Sequence, residues 1–194
     1  MPQNPSIFQP NLRRFIPHKF RSNGKSRLNS ALLCATARLA PKDISIQVFQ
    51  GIGDLPLFNP DIEFTDPAPV VKFRAQVIAA DALIIASPEY AHGVTGVLKN
   101  ALDWLVGSEA FVNKPIALFN ASPSSVYAPA ALKEIVRVMS ARVVDEASID
   151  LPIRGAKLDE DGIYEDVKMS AAIRTALQAL TDGVLLESGL DGLK

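Results

Sequence analysis

The chain has 194 residues, enough for one domain of ordinary size, and 48% of them are hydrophobic, which excludes disorder over most of its length. No apolar run approaches the ~18 residues of a membrane-spanning helix, and the single cysteine, Cys34, excludes an intrachain disulfide framework and fits a reducing compartment, the cytoplasm. The net charge is −1, yet residues 1–27 carry six basic side chains and no acid, so the other 14 basic residues face all 21 acids; the body is mildly acidic, which argues against a nucleic-acid surface.

Residues 1–20 are interrupted by Pro2, Pro5, Pro10 and Pro17 and lack the apolar core of a signal peptide. An acid-free, Arg-rich start also fits a transit peptide, although the prolines spoil the amphipathic helix one requires. The stretch reads either as a basic arm or as a weak first strand around Leu12 to Phe20, with residues 21–194 as a single domain. Asn29 can cap a helix running through Ala40, with Leu32, Leu33, Ala35, Thr36 and Leu39 on one side, and Pro41 stops it. Cys34 sits in that apolar pattern and reads as a buried structural thiol. Ile44 to Phe49 alternates as a strand, and a loop with Gly51, Gly53, Pro56, Asn59 and Pro60 follows. Val70 to Ala80 is a second helix, striped by Val70, Phe73, Val77 and Ile78.

Ala82 to Ala86 is a short unbroken apolar run, the pattern of a strand buried on both faces. The polar turn Ser87-Pro88-Glu89-Tyr90-Ala91-His92-Gly93 leads from it into a helix over Val97 to Val106. Pro115 to Phe119 is another buried strand, ending in Asn120-Ala121-Ser122-Pro123-Ser124-Ser125. A helix over Ala128 to Met139 and a strand over Val143 to Ile149 come next. The acidic turn Asp159-Glu160-Asp161-Gly162 supplies too few ligands for a metal site, and a last helix covers Met169 to Leu180. There is no internal repeat. Strand and helix alternate throughout, as in a doubly wound parallel sheet with helices on both faces. Ligands of such sheets sit outside the carboxyl ends of the strands, so the loops Ser87–Gly93 and Asn120–Ser125, with the stretch Arg21 to Leu28, are where function is expected.

The segment Ser87-Pro-Glu-Tyr-Ala-His-Gly-Val-Thr-Gly-Val-Leu-Lys-Asn-Ala-Leu-Asp-Trp104 resembles the signature of the NADPH-dependent FMN reductases of the flavodoxin-like fold. Gly53-Asp-Leu-Pro-Leu-Phe-Asn-Pro-Asp61 is similar to the family's loop after strand two, and Lys25-Ser-Arg-Leu-Asn-Ser-Ala-Leu-Leu33 to the end of its phosphate loop. The resemblance implies a flavodoxin-like, five-stranded parallel sheet with a degenerate first strand. It further implies bound FMN, NAD(P)H as co-substrate, and reduction of flavins, quinones or other small acceptors by a homodimer or homotetramer.

By the same resemblance Pro88, Glu89 and Tyr90 line the flavin ring, with Ala91, His92 and Gly93 completing their loop and Ser122 and Pro123 on the second ring-side loop. Many family members have Asn and Gly where this chain has Ala91 and His92. His92 reads as a solvated loop residue or a substrate-side group, and Tyr127 as a ring neighbour or a surface residue. Ser22, Lys25, Ser26 and Asn29 would meet the phosphate. Ser22 and Asn29 match the family pattern, Ser26 is displaced by one position, and Arg21 replaces a glycine, leaving Lys25 or Arg21 to supply a cation. Asn29 as a simple helix cap is the structural alternative. Lys99 and Asp103, four apart, read as a structural or subunit-interface salt link.

Hydride would pass from the nicotinamide to flavin N5 and on to the acceptor, so no catalytic side chain is required. Two other classes stand beside this reading. One is a flavodoxin-like electron carrier, which calls for an acidic rim. The other is a cofactor-free structural or regulatory relative, which would be colourless.

Overall fold

A computed structural model describes residues 12–17, 27–156 and 158–190. Six strands form one parallel sheet: β1 (Leu12–Pro17), β2 (Ile44–Phe49), β3 (Ala82–Ala86), β4 (Pro115–Asn120), β5 (Arg142–Val143) and β6 (Ile149–Asp150). The order is β2-β1-β3-β4-β5, the flavodoxin-like arrangement, with β6 pairing β4 beside β5. β1 therefore lies inside the sheet, paired along its whole length with β2 and through Arg14 and Phe15 with β3.

The single strand expected over Val143 to Ile149 is two pieces occupying one position of the sheet. β5 pairs with the start of β4 and β6 with its end, and a 3-10 turn at Asp145–Ala147 separates them. Asp145 and Glu146 break the period-two pattern there, and Lys133 bonds the Asp145 carboxylate at 2.6 Å.

β3 explains why both faces of the sheet are covered. Leu83 and Ile85 point to one side and Ala82 and Ile84 to the other, and none is more than 1% exposed. On the first side Leu83 and Ile85 meet α3 (Ala68–Ala79), α4 (Gly96–Val106) and α5 (Tyr127–Val138) through Phe73, Leu105 and Leu132. On the second side Ile84 and Phe119 meet α1 (Arg27–Leu39) and α8 (Val167–Leu190) through Leu32, Ile173 and Leu177. Burying a Leu or Ile of this kind contributes ~1.5–3 kcal/mol, so the two layers supply the main driving force.

Two helices depart from expectation at their ends. α1 begins at Arg27, so Asn29 is its third residue and not its cap. α8 runs ten residues past the expected Leu180 and through Gly183, which reads as a breaker but serves packing. A Cβ at Gly183 would stand 3.2 Å from Val144 Cγ2, and Arg142 Nη2 donates to the Gly183 carbonyl at 2.6 Å. The short helix α2 (Pro60–Glu63) follows β2, and α6 (Ile153–Ala156) and α7 (Glu160–Glu165) join β6 to α8. The acidic turn before α7 is a cap: Asp159 Oδ1 accepts from the Gly162 N–H at 3.0 Å. Arg38 pairs with Asp161 at 2.6 Å and Glu160 at 3.2 Å, and lies over the Tyr164 ring. Those carboxylates, Asp161 first, hold the guanidinium pKa above its ordinary value.

Candidate functional site

The carboxyl edge of the sheet opens into a cleft of about 830 Å³, a volume within the range of small-molecule and cofactor sites. One wall is the loop after β3, represented by Ser87, Pro88, Glu89 and Tyr90; the loop after β4 adds Asn120, Ser122 and Ser125. Asn29 and Ser30 at the start of α1 also line it, as do Arg154 and Leu158.

The β3 loop is built by its own backbone. Tyr90 and Gly93 exchange two hydrogen bonds, Tyr90 N–H to Gly93 O at 3.2 Å and Gly93 N–H to Tyr90 O at 3.0 Å. Between them Ala91 has φ 50° and His92 φ 58°. A two-residue turn with both central residues at positive φ is type I′, the turn for which Asn-Gly is the preferred pair. Ala and His occupy it at a cost of about 1–2 kcal/mol each. Pro88 has no N–H to donate, and nothing among the described residues accepts from the Glu89 N–H.

Contacts to α5 offset that strain. Val126 offers α5 no side-chain cap, and the Glu89 carboxylate takes the role from across the cleft edge. Its Oε2 accepts from the N–H groups of Tyr127 and Ala128, both at 2.8 Å, where the helix dipole favours a negative charge. The His92 ring stacks on Tyr127 with centroids 4.2 Å apart and planes 22° from parallel. The β3 loop and the start of α5 are thus held to each other at two points.

The β4 loop is organised by Asn120, 7% exposed. Its Nδ2 donates to Asp150 Oδ1 at 2.7 Å and to Ser125 O at 3.0 Å, and its Oδ1 accepts from Ser122 N–H at 3.1 Å. Ser122 to Ser125 is a turn closed by a 2.8 Å bond, with Pro123 at the second position, where its fixed φ fits.

Of the expected site residues, the structure brings Asn29, Pro88, Glu89, Tyr90 and Ser122 into one cleft wall. Ala91, His92, Gly93 and Pro123 are not in that wall; they shape the loops behind it. Ser22, Lys25 and Ser26 lie outside the described residues. Cys34 is half-buried on the cleft side of α1, and not the fully buried thiol expected. Sequence reasoning places Asn120 at the start of an expected site loop but gives it no role of its own, although a polar residue ending a buried strand is a signal for one. It misses Arg154, for which there is no such signal.

Asn29 is 7% exposed, and its Oδ1 has no hydrogen-bond partner among the described residues. An orphaned buried amide costs about 1–3 kcal/mol. It lines the cleft in the first turn of a 13-residue helix, where unpaired N–H groups and the dipole favour an anion. A buried amide with an unpaired atom in the first turn of a helix, on a cleft of this volume, fits a ligand with an anionic end, as FMN has.

The second half of the 87–104 segment has a different task. Asn100 Nδ2 and Trp104 Nε1 both donate to Pro56 O, at 3.0 and 2.8 Å, and Asn100 Oδ1 accepts from Phe58 N–H at 2.7 Å. Trp104, 1% exposed, meets the Phe58 ring edge-on at 5.1 Å. These residues fasten the loop after β2 to α4. Lys99 and Asp103 form the expected salt link on the exposed side of α4.

Comparison with known proteins bears on the family and the fold. Residues 21–152 match the family described as NADPH-dependent FMN reductase. The chain is 33% identical over 158 residues to an NAD(P)H-dependent FMN reductase of Pseudomonas aeruginosa, covering 78% of this chain and 85% of that one. It is 30% identical over 152 residues to a 2-hydroxy-1,4-benzoquinone reductase of a Burkholderia species, covering 74% and 82%. Among solved structures, a flavoenzyme NAD(P)H:(acceptor) oxidoreductase of Paracoccus denitrificans superimposes with a TM-score of 0.72 at 24% identity, over 89% of this chain and 96% of that one. The chain belongs to the NADPH-dependent FMN reductase family and is an oxidoreductase of flavodoxin-like fold with FMN as its cofactor.

Proposed function

We propose that the cleft holds FMN with its ring against the Pro88–Tyr90 and Asn120–Ser125 loops and its phosphate toward the start of α1. The cleft itself carries this reading, because it lies at the carboxyl edge between β3 and β4 with an orphaned Asn29 in its lining. When bound, FMN supplies the redox chemistry: hydride from NAD(P)H enters at N5, and NAD(P)H, a proton and a quinone become NAD(P)+ and a hydroquinone. The protein's own contribution is orientation. Pro88 leaves Glu89 N–H as a defined donor at the ring edge, and Glu89 and Asn120 keep the two loops at a fixed separation. No side chain acts as a catalytic acid or base in this reading. A cleft that admits one planar partner at a time makes the half-reactions alternate, and the kinetics are ping-pong.

The same reading makes the acceptor a small molecule and the protein a cytoplasmic homodimer or homotetramer. No helix among the described residues is long and apolar enough to cross a membrane. Leu57 and Phe64, 83% and 91% exposed near the loop that Trp104 secures, support self-association.

Flavin-free full-length protein titrated with FMN should turn yellow at one FMN per chain. It should then oxidise NADPH in proportion to added benzoquinone, with parallel reciprocal plots. Colourless protein that takes up no FMN overturns the reading. Uptake of FMN without NADPH oxidation would make the chain an electron carrier instead.

A further inference from the structure

The cleft wall carries three carboxylates, Glu89, Asp159 and Glu160, and one basic side chain among the described residues, Arg154. An anionic ligand entering such a wall needs a positive charge not already spent. Each carboxylate is committed elsewhere: Glu89 to the start of α5, Asp159 to the start of α7, and Glu160 to Arg38. Arg154 forms no ion pair with any described residue. Its backbone is nevertheless fixed. Ile153 is fully buried, and the Arg154 N–H donates to Ala121 O at 3.1 Å, tying α6 to the end of β4. Arg154 is exposed beside the cleft on an anchored backbone, so its guanidinium, with no ion pair to a described residue, is available to a ligand from outside.

Asn29, which lines the same cleft, is more than nine-tenths buried, and its Oδ1 has no hydrogen-bond partner among the described residues. A half-turn of that amide presents Nδ2 in place of Oδ1, so it can donate to an anion. The first N–H groups of α1 lie beside it. We propose that Arg154 is a cofactor-binding residue, supplying from α6 the cation for the terminal phosphate of FMN, opposite Asn29 and the α1 N-terminus. This rests on the reading of the cleft as the FMN site. A guanidinium suits this role because it can bind phosphate through two parallel N–H donors.

The test compares FMN with riboflavin, which has the same ring and no phosphate, by fluorescence quenching on flavin-free full-length protein. Wild type should bind FMN more tightly than riboflavin, and inorganic phosphate should compete with FMN alone. Arg154→Gln should weaken FMN about ten- to a hundredfold and leave riboflavin unchanged, as expected for a lost charge-assisted pair. Arg154→Lys, which keeps charge but loses the fork, should fall between. FMN affinity should also depend less on salt in Arg154→Gln than in wild type.

Equal loss for FMN and riboflavin would assign Arg154 a ring-side or structural role and overturn the proposal. Unchanged FMN affinity with weaker NADPH binding would move it to the nicotinamide side and overturn the proposal as well. Wild type that takes up neither flavin would overturn the FMN reading of the cleft first, and this proposal with it.

Discussion

The two ends of the cleft are built on opposite plans. Where the flavin ring is proposed to lie, polar side chains are satisfied within the protein: Asn120 makes three hydrogen bonds, and Glu89 accepts two from the start of α5. At the end proposed for the phosphate, Asn29 Oδ1 has no partner among the described residues, and Arg154, the cation proposed for it, has no ion pair with a described residue. A planar ring is recognised by shape and main-chain donors, so its loops must be rigid before it arrives. A phosphate is recognised by charge and hydrogen bonds, so its partners must be left open for it. The flavin-free protein should carry its stability at one end and its unmet polar groups at the other.

The largest effect belongs to a residue behind both ends. Trp104→Ala should cost about 3–5 kcal/mol in urea unfolding, because it removes a fully buried ring and the donor to Pro56 O. It should leave the ratio of FMN to riboflavin affinity in the folded fraction unchanged. A shift in that ratio would mean that the loop after β2 reaches the phosphate, and the two-ended description would fail.

Asn120 and Asn29 give the direct comparison, being the same residue type at equal burial. Asn120→Ala leaves Ser122 N–H and Asp150 without their partner and should cost about 2–3 kcal/mol of stability. It should weaken FMN and riboflavin together. Asn29→Ala removes an atom already unpaired, so flavin-free stability should stay level or rise by up to about 1 kcal/mol, while FMN affinity falls about tenfold. Equal destabilisation by the two substitutions would break the comparison.

The two ends also differ in how far the sequence reveals them. Ala82 to Ala86 has the pattern of a doubly buried strand, and the Pro- and Gly-marked turn after it then falls at the sheet edge. The ring end follows from those two facts. The anion end requires knowing where α1 starts, and Asn29 is equally plausible as a cap or as a first-turn residue until its burial is seen. Arg154 is beyond reach, because what matters is the absence of a partner, and no local pattern encodes that. The break at Asp145–Ala147 and the passage of α8 through Gly183 are hidden for a related reason. Tertiary contacts, to Lys133 and to Arg142, decide both.

Glu89→Ala should cost about 1 kcal/mol, the ordinary value of a lost helix cap, although this cap comes from a loop 38 residues away in sequence. Glu89→Gln keeps the acceptor and loses the charge, and should cost about half as much, the difference narrowing in high salt. Equal losses for the two would show that the charge is the whole interaction.

The smallest effect tests whether the turn at the ring end is strained or secured. Ala91→Gly removes the Cβ that makes φ 50° costly and adds chain entropy to the unfolded state. With relief of about 1–2 kcal/mol against a cost of about 0.5–1 kcal/mol, a net gain of about 0.5–1 kcal/mol is expected. His92→Gly relieves the same kind of strain but also loses the stack on Tyr127, a contact of about 0.5–1.5 kcal/mol, so its net change should be close to zero. Urea unfolding of the flavin-free protein should therefore place Ala91→Gly above wild type and His92→Gly level with it. If both gain equally, the stack contributes nothing, and Glu89 alone holds the β3 loop to α5.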